Sequence, residues 1–182
     1  YFREGDIRDT DWLESIFTEF NLLGIPIKSV FHFAGLKSVE ESMVKPLNYW
    51  DNNVNGSLSL LRVMIKFCCF KLIFSSSATI YKPNMMSPFK ENSPLEPVNP
   101  YGKTKFVIES ILKDLFNSDQ KKWRIANLRY FNPIGAHTSG LIGDCPKNQS
   151  RNLFPSIMEV AIGKDKNLLI FGNKWPTRDG TC

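Results

Sequence analysis

The sequence is poor in metal ligands. It holds four cysteines and two histidines. Cys68, Cys69, Cys145 and Cys182 form no Cys-x-x-Cys pair, and His32 and His137 cannot complete a zinc-ligand spacing with them. Neither a metal site nor a disulfide scaffold is expected. Cys68 and Cys69 are adjacent in an apolar run and read as small core residues. A reducing, cytoplasmic compartment is the default for such cysteine usage. Long hydrophobic runs are missing too. No window approaches the ~18 uninterrupted apolar residues of a membrane span, so no membrane partner is expected. Charge runs are equally scarce. The net charge is +5, yet the lysines and arginines stand singly, with Lys121-Lys122 the one adjacent pair. A nucleic-acid binder concentrates its basic residues in a patch or stripe, so no nucleic-acid partner is expected. A mild positive excess suits an anionic small molecule.

What remains is a globular composition, 42% hydrophobic and 23% charged, with alternating short and long apolar segments. Thr10 or Asp11 can cap a helix in which Trp12, Leu13, Ile16, Phe17 and Phe20 recur at helical spacing. Residues 29–34 read as a buried strand ending at Gly35, and residues 47–67 as a second helix. Lys71-Leu72-Ile73-Phe74 is the next strand, ending in Ser75-Ser76-Ser77. Five prolines between residues 82 and 100 exclude helix or central strand there. A third helix is predicted over 102–116, a strand over 124–130, a short helix over 153–162 and a short strand over 167–171. Strands with continuous rather than alternating apolarity, interleaved with helices, predict an α/β fold: a doubly wound parallel sheet covered on both faces. Ligands in such sheets lie outside the carboxyl ends of the strands. That places a site at Gly35-Leu36-Lys37, at Ser75 to Thr79, and at Phe131-Asn132-Pro133.

Tyr101 and Lys105 share one face at the start of the third helix, being four residues apart. An ammonium ~6 Å from a phenol at effective ε ≈ 20 interacts by ~3 kcal/mol, enough to lower a tyrosine pKa from ~10 by about two units. A tyrosine so tuned can shuttle a proton near neutral pH. The serine run supplies a hydroxyl to hold a substrate oxygen. Taken singly, the Tyr-Lys pair reads first as an ordinary surface pair, and the serines first as turn chemistry. Their combination at the predicted carboxyl edge is what singles them out, for moving a proton off an alcohol while hydride leaves its carbon.

Several stretches carry a resemblance. They are His32-Phe33-Ala34-Gly35-Leu36-Lys37, Asp51-Asn52-Asn53-Val54-Asn55-Gly56, Phe74-Ser75-Ser76-Ser77-Ala78-Thr79, Asn99-Pro100-Tyr101-Gly102-Lys103-Thr104-Lys105 and Arg129-Tyr130-Phe131-Asn132-Pro133. In order, and over essentially the whole chain, they resemble the UDP-glucose 4-epimerase family of the extended short-chain dehydrogenase/reductases. The resemblance implies a Rossmann-type NAD-binding domain over 1–132 and the start of a smaller UDP-sugar-binding domain over 133–182. It implies NAD as cofactor, UDP-glucose and UDP-galactose as substrates, and a homodimer for the full-length protein.

By this resemblance Tyr101 is the base, Lys105 bonds the nicotinamide ribose and keeps Tyr101 acidic, and Ser77 is the hydroxyl partner. Asp6 and Ile7 lie near the adenine. Phe33, Ala34, Gly35, Leu36 and Lys37 line the diphosphate side, and Asn52 and Phe131 also approach the cofactor. Thr79 is close to the sugar, while Asn132, Asn152, Leu153, Leu169, Ile170 and Phe171 contact the UDP-sugar. His32 reads as a satisfied buried histidine.

The chain departs from the family pattern at Lys82, Arg151, residues 145–150 and Cys182. No Gly-x-x-Gly-x-x-Gly phosphate loop occurs in it, so an internal piece of a longer enzyme is expected. Two other readings remain. A nucleotide-sugar dehydratase or decarboxylase of the same superfamily is one, although Ala78-Thr79-Ile80 offers no eliminating acid. A non-catalytic NAD-binding relative is the other.

Overall fold

Three short strands, all parallel, organise the first part of the chain: β1 (Val30–His32), β2 (Lys71–Ser77) and β3 (Arg124–Tyr130), in that spatial order. The structure is a computed structural model that describes residues 1–83, 88–143, 152–170 and 172–181. Two compact units are present, Tyr1–Phe131 and Asn132–Cys182. Predicted features at Phe171, Arg151, Cys182 and residues 145–150 lie outside the described residues.

In the first unit β2 is central. Ile73 pairs with Phe31 on one side and Ala126 on the other. The helices are α1 (Thr10–Leu22), α2 (Val39–Val44), α3 (Pro46–Tyr49), α4 (Gly56–Lys66) and α5 (Pro100–Ser118). Leu13 and Phe17 of α1, Leu60, Leu61, Val63 and Met64 of α4, and Ile108 and Leu112 of α5 bury against Leu72 and Phe74. Each such side chain, fully removed from water, contributes about 1.5–3 kcal/mol. The same period-2 rule that sends Leu72 and Phe74 into this core sends Ser76 there too.

Helix boundaries differ from the sequence reading where side chains compete for backbone groups. Asp9, not Thr10 or Asp11, caps α1, its carboxylate accepting from Trp12 N–H at 2.9 Å. The single helix expected over 47–67 is three pieces. Pro46 opens α3 at a position that needs no N–H donor. A π-helical turn (Trp50–Asn55) then leads into α4. A further helix precedes them, α2, capped by Ser38, which accepts from Glu41 N–H. At the end of α4, Cys68 has φ 55. Its N–H bonds Ile65 C=O and the Cys69 N–H bonds Met64 C=O, the paired closure of a Schellman cap.

β2 continues through the whole serine run, because Ser75, Ser76 and Ser77 pair with Leu128, Arg129 and Tyr130. The described residues of the proline-rich segment before Pro100 form no helix, and a Tyr81–Leu95 bridge joins the segment to the fold. In the second unit α6 (Leu153–Ala161) forms as expected. Residues 167–170 do not form the predicted strand. A strand exists only through a ladder partner, and among the described residues none pairs with these.

Candidate active site

The carboxyl ends of the three strands carry the predicted residues 33–37, Ser77 with Thr79, and Phe131. Tyr101 and Lys105 arrive on the first turns of α5. Asn99 caps that helix, accepting from Gly102 N–H at 2.8 Å, and Pro100 follows it. Gly102 has a steric reason: a Cβ there would stand 2.9 Å from the Thr79 carbonyl oxygen. The helix start therefore lies directly against the turn after β2.

The three serines divide their work by strand alternation. The Ser75 carbonyl accepts from Lys105 Nζ at 2.8 Å. The Ser76 hydroxyl points inward and donates to Glu109 Oε1 at 2.5 Å. The Ser77 oxygen accepts from Thr79 N–H at 3.2 Å and Thr79 Oγ1 at 3.0 Å, which leaves its own proton to donate. Tyr101 stands beside it. Burial raises the Tyr101 phenol above its ordinary value, and the Ser77 hydroxyl pulls it back down.

Lys105 is buried, its Nζ 4.9 Å from the Phe74 ring centroid and 5.9 Å from that of Tyr101. Desolvation brings its pKa down to about 8. The expected acidifying effect of Lys105 on Tyr101 does not govern the phenol in this state. The ammonium is bonded to the Ser75 carbonyl and lies over the Tyr101 ring. Tyr49, wholly buried, meets the Tyr101 ring edge-on with centroids 6.5 Å apart.

The turn after β1 is held by a residue that sequence reasoning did not single out. Asn53, next to the expected Asn52, is buried. It accepts from Leu36 N–H at 2.8 Å and donates to Leu36 C=O and Thr104 Oγ1, both at 3.1 Å. Thr104 in turn donates to the Tyr101 carbonyl at 2.7 Å. A Cβ on Gly35 would sit 3.2 Å from Asn53 Oδ1 and 3.6 Å from Lys105 Nζ. Asn52 itself is half-buried. Ala34, Gly35 and Lys37 are exposed and Leu36 is half-buried. Phe33 is exposed and stacks on Phe31. His32 is buried with Nε2 2.8 Å from Ser57 Oγ, whose proton goes to the Asn53 carbonyl. Burial and the nearby Lys105 charge hold it down at about 4.

Asp6 and Ile7 lie just before α1, in a turn fastened by Arg8. Its guanidinium bonds Asp6 at 2.6 Å and Asp51 at 2.5 Å, and the Asp6 carboxyl falls to about 2. Ile7 packs where a Cβ on Gly56 would clash. Phe131 is exposed and stacks on Tyr81 and Phe89.

Within the second unit Asn132, Leu153, Leu169 and Ile170 are exposed, and Asn152 occupies the N-cap position of α6. Glu109 and Arg129 also escaped the sequence reading. The signal for Glu109 was present, since Tyr101, Lys105 and Glu109 recur every fourth residue on one helix face. Among the described residues no cluster of metal ligands exists and no helix is long and apolar enough to cross a membrane.

The model of the NAD dependent epimerase/dehydratase family matches residues 1–181. UDP-glucose 4-epimerase 2 of Oryza sativa is 50% identical over 99% of this chain, which covers 43% of that protein. The UDP-glucose 4-epimerase of Bacillus subtilis is 47% identical over 99% of this chain and 51% of its own length. The chain thus spans about half the length of these curated relatives. Among solved structures, the UDP-glucose 4-epimerase of Bifidobacterium longum in complex with NAD+ and UDP superposes with a TM-score of 0.89 at 46% identity, over 98% of this chain and 52% of that one. The Stenotrophomonas enzyme with bound NAD and formylated UDP-arabinopyranose gives 0.88 at 43% identity, over 99% and 52%.

Proposed function

Since the chain belongs to the NAD dependent epimerase/dehydratase family, we propose that its full-length protein interconverts UDP-glucose and UDP-galactose with NAD as resident cofactor. The observation that carries this reading is the convergence of Ser77, Tyr101 and Lys105 at one strand edge. The relatives named above, at 47–50% identity, support the substrate choice.

The residues fit the cofactor. The turn at Gly35 offers backbone free of a side chain beside a buried ammonium, which suits close approach of a dinucleotide. Gly35, Leu36 and Lys37 would line its diphosphate side, with Asp6 and Ile7 near the adenine and Asn52 and Phe131 also in contact. When bound, NAD supplies the hydride acceptor that no side chain can.

Lys105 would hold a ribose hydroxyl of the bound cofactor, its ammonium standing over the Tyr101 ring. Ser77 donates to the same substrate oxygen that Tyr101 deprotonates, with Thr79 fixing the direction of the Ser77 hydroxyl. Acting as its phenolate, Tyr101 would take the proton from the sugar 4-hydroxyl as the carbon 4 hydride leaves to the acceptor and the 4-keto sugar forms. It would return the proton to that oxygen once the sugar has turned over and the hydride has come back to the other face of carbon 4. The net change is inversion at carbon 4. Asn132, Asn152, Leu153, Leu169, Ile170 and Phe171 are proposed to hold the UDP-sugar. A cytoplasmic setting belongs to the same reading, supported by the free thiols of Cys68 and Cys69. So does a homodimer, for which the exposed Met43, Val44 and Leu47 offer apolar surface.

The test is incubation of the full-length protein with UDP-galactose and detection of UDP-glucose. Conversion is expected, and its absence with NAD bound contradicts the reading.

A further inference from the structure

Glu109 is a buried carboxylate that the proposed chemistry does not use. It accepts from Ser76 Oγ at 2.5 Å, and from Arg129 Nε at 3.0 Å and Nη2 at 2.7 Å. Arg129 is the Cα partner of Ser76 across β2 and β3. Its remaining nitrogen donates to Tyr81 Oη at 3.2 Å and to the Glu91 carbonyl at 2.8 Å. Its guanidinium carbon lies 5.1 Å from the Tyr81 ring centroid.

Burying such a pair is a poor way to gain stability, because apolar side chains of the same volume do as well or better. What a directed polar network supplies is register. Two bonds join α5 to consecutive residues of β2: Lys105 to the Ser75 carbonyl, and Glu109 to the Ser76 hydroxyl. The next residue is Ser77, one Cα step of about 3.8 Å further on. Glu109 lies eight residues after Tyr101 on the same helical face.

We propose that Glu109 and Ser76 are positioning residues: a clamp that fixes the end of β2 against α5 and so holds the Ser77 hydroxyl at the Tyr101 oxygen. Arg129 completes the clamp and extends it to the segment after β2 through Tyr81 and Glu91. The role of the clamp in turnover rests on the epimerase reading above; the register it imposes does not.

The test compares the full-length protein with its Ser76→Ala and Glu109→Gln variants, by kinetics and by ultraviolet difference titration of Tyr101 against Tyr101→Phe. Ser76→Ala removes a single buried hydroxyl and keeps the result readable should Glu109→Gln fail to fold. In Ser76→Ala, kcat for UDP-galactose is expected to fall about tenfold while KM moves less than about twofold. Tyr101 is expected to titrate at higher pH than in the parent, because the downward pull of Ser77 is weakened. Glu109→Gln is expected to move both readouts the same way. A kcat within about twofold of the parent, or an unmoved Tyr101 titration, overturns the clamp even where thermal stability falls. A parent that does not interconvert the sugars defeats the epimerase reading alone. The clamp is then decided by the titration: a raised Tyr101 value in Ser76→Ala supports it, and an unmoved one overturns it.

Discussion

Lys105 reaches back from α5 to the backbone of β2, its Nζ donating to the Ser75 carbonyl at 2.8 Å while it lies over the Phe74 ring. The ammonium is therefore buried, and burial costs stability. The unfolded chain keeps this proton up to the ordinary 10.5, but the folded chain only to about 8. Below the folded value the native state bears the full desolvation cost, roughly 3 kcal/mol. The cost is relieved as pH rises from 8 to 10.5, because there the unfolded state binds more protons. Lys105→Met is thus expected to raise the denaturation midpoint at neutral pH while abolishing turnover. A midpoint below that of the parent contradicts this.

His32 has the same sign at acid pH. Its ordinary value is 6.5 and its folded value about 4. The neutral ring contributes stability that is whole above 6.5 and is lost as pH falls toward 4, by up to about 3 kcal/mol. Urea denaturation of the parent and of His32→Gln over this range checks it. The parent curve is expected to steepen downward with acid and the variant curve to be flatter. Parallel curves contradict it.

Cys68 adopts a left-handed conformation with a side chain attached. That conformation costs a non-glycine residue roughly 1–2 kcal/mol, and glycine avoids the penalty at some cost in chain entropy. Cys68→Gly is expected to stabilise the fold by about 0.5–1 kcal/mol and to leave the active edge untouched. Thermal unfolding checks the sign.

Much of this arrangement was legible in the chain. Continuous apolar strands predicted a parallel sheet, and Tyr101 and Lys105 at a spacing of four predicted a shared helix face. The serine run was visible but not its division of labour. Which hydroxyl faces the core depends on where the strand ends, and the pairing of Ser77 with Tyr130 carries β2 further than its apolar residues do. Asn53 and Arg129 were hidden for another reason. Their partners, Leu36 and Glu109, are 17 and 20 residues away in sequence, and only the assembled sheet brings them together. The expected tyrosine pKa was overridden by burial: the ammonium is engaged by the Ser75 carbonyl and lies over the Tyr101 ring, while desolvation raises the phenol.

The proposed role of Tyr101 as the group that moves the proton is tested most directly by one comparison. The rate of UDP-galactose to UDP-glucose conversion is measured at saturating substrate for the full-length protein and its Tyr101→Phe variant, with bound NAD measured in both. Loss of the acid–base group is expected to lower the rate by about 100-fold or more while NAD is retained. A variant with full NAD content and a rate within about twofold of the parent would show that Tyr101 does not carry the proton.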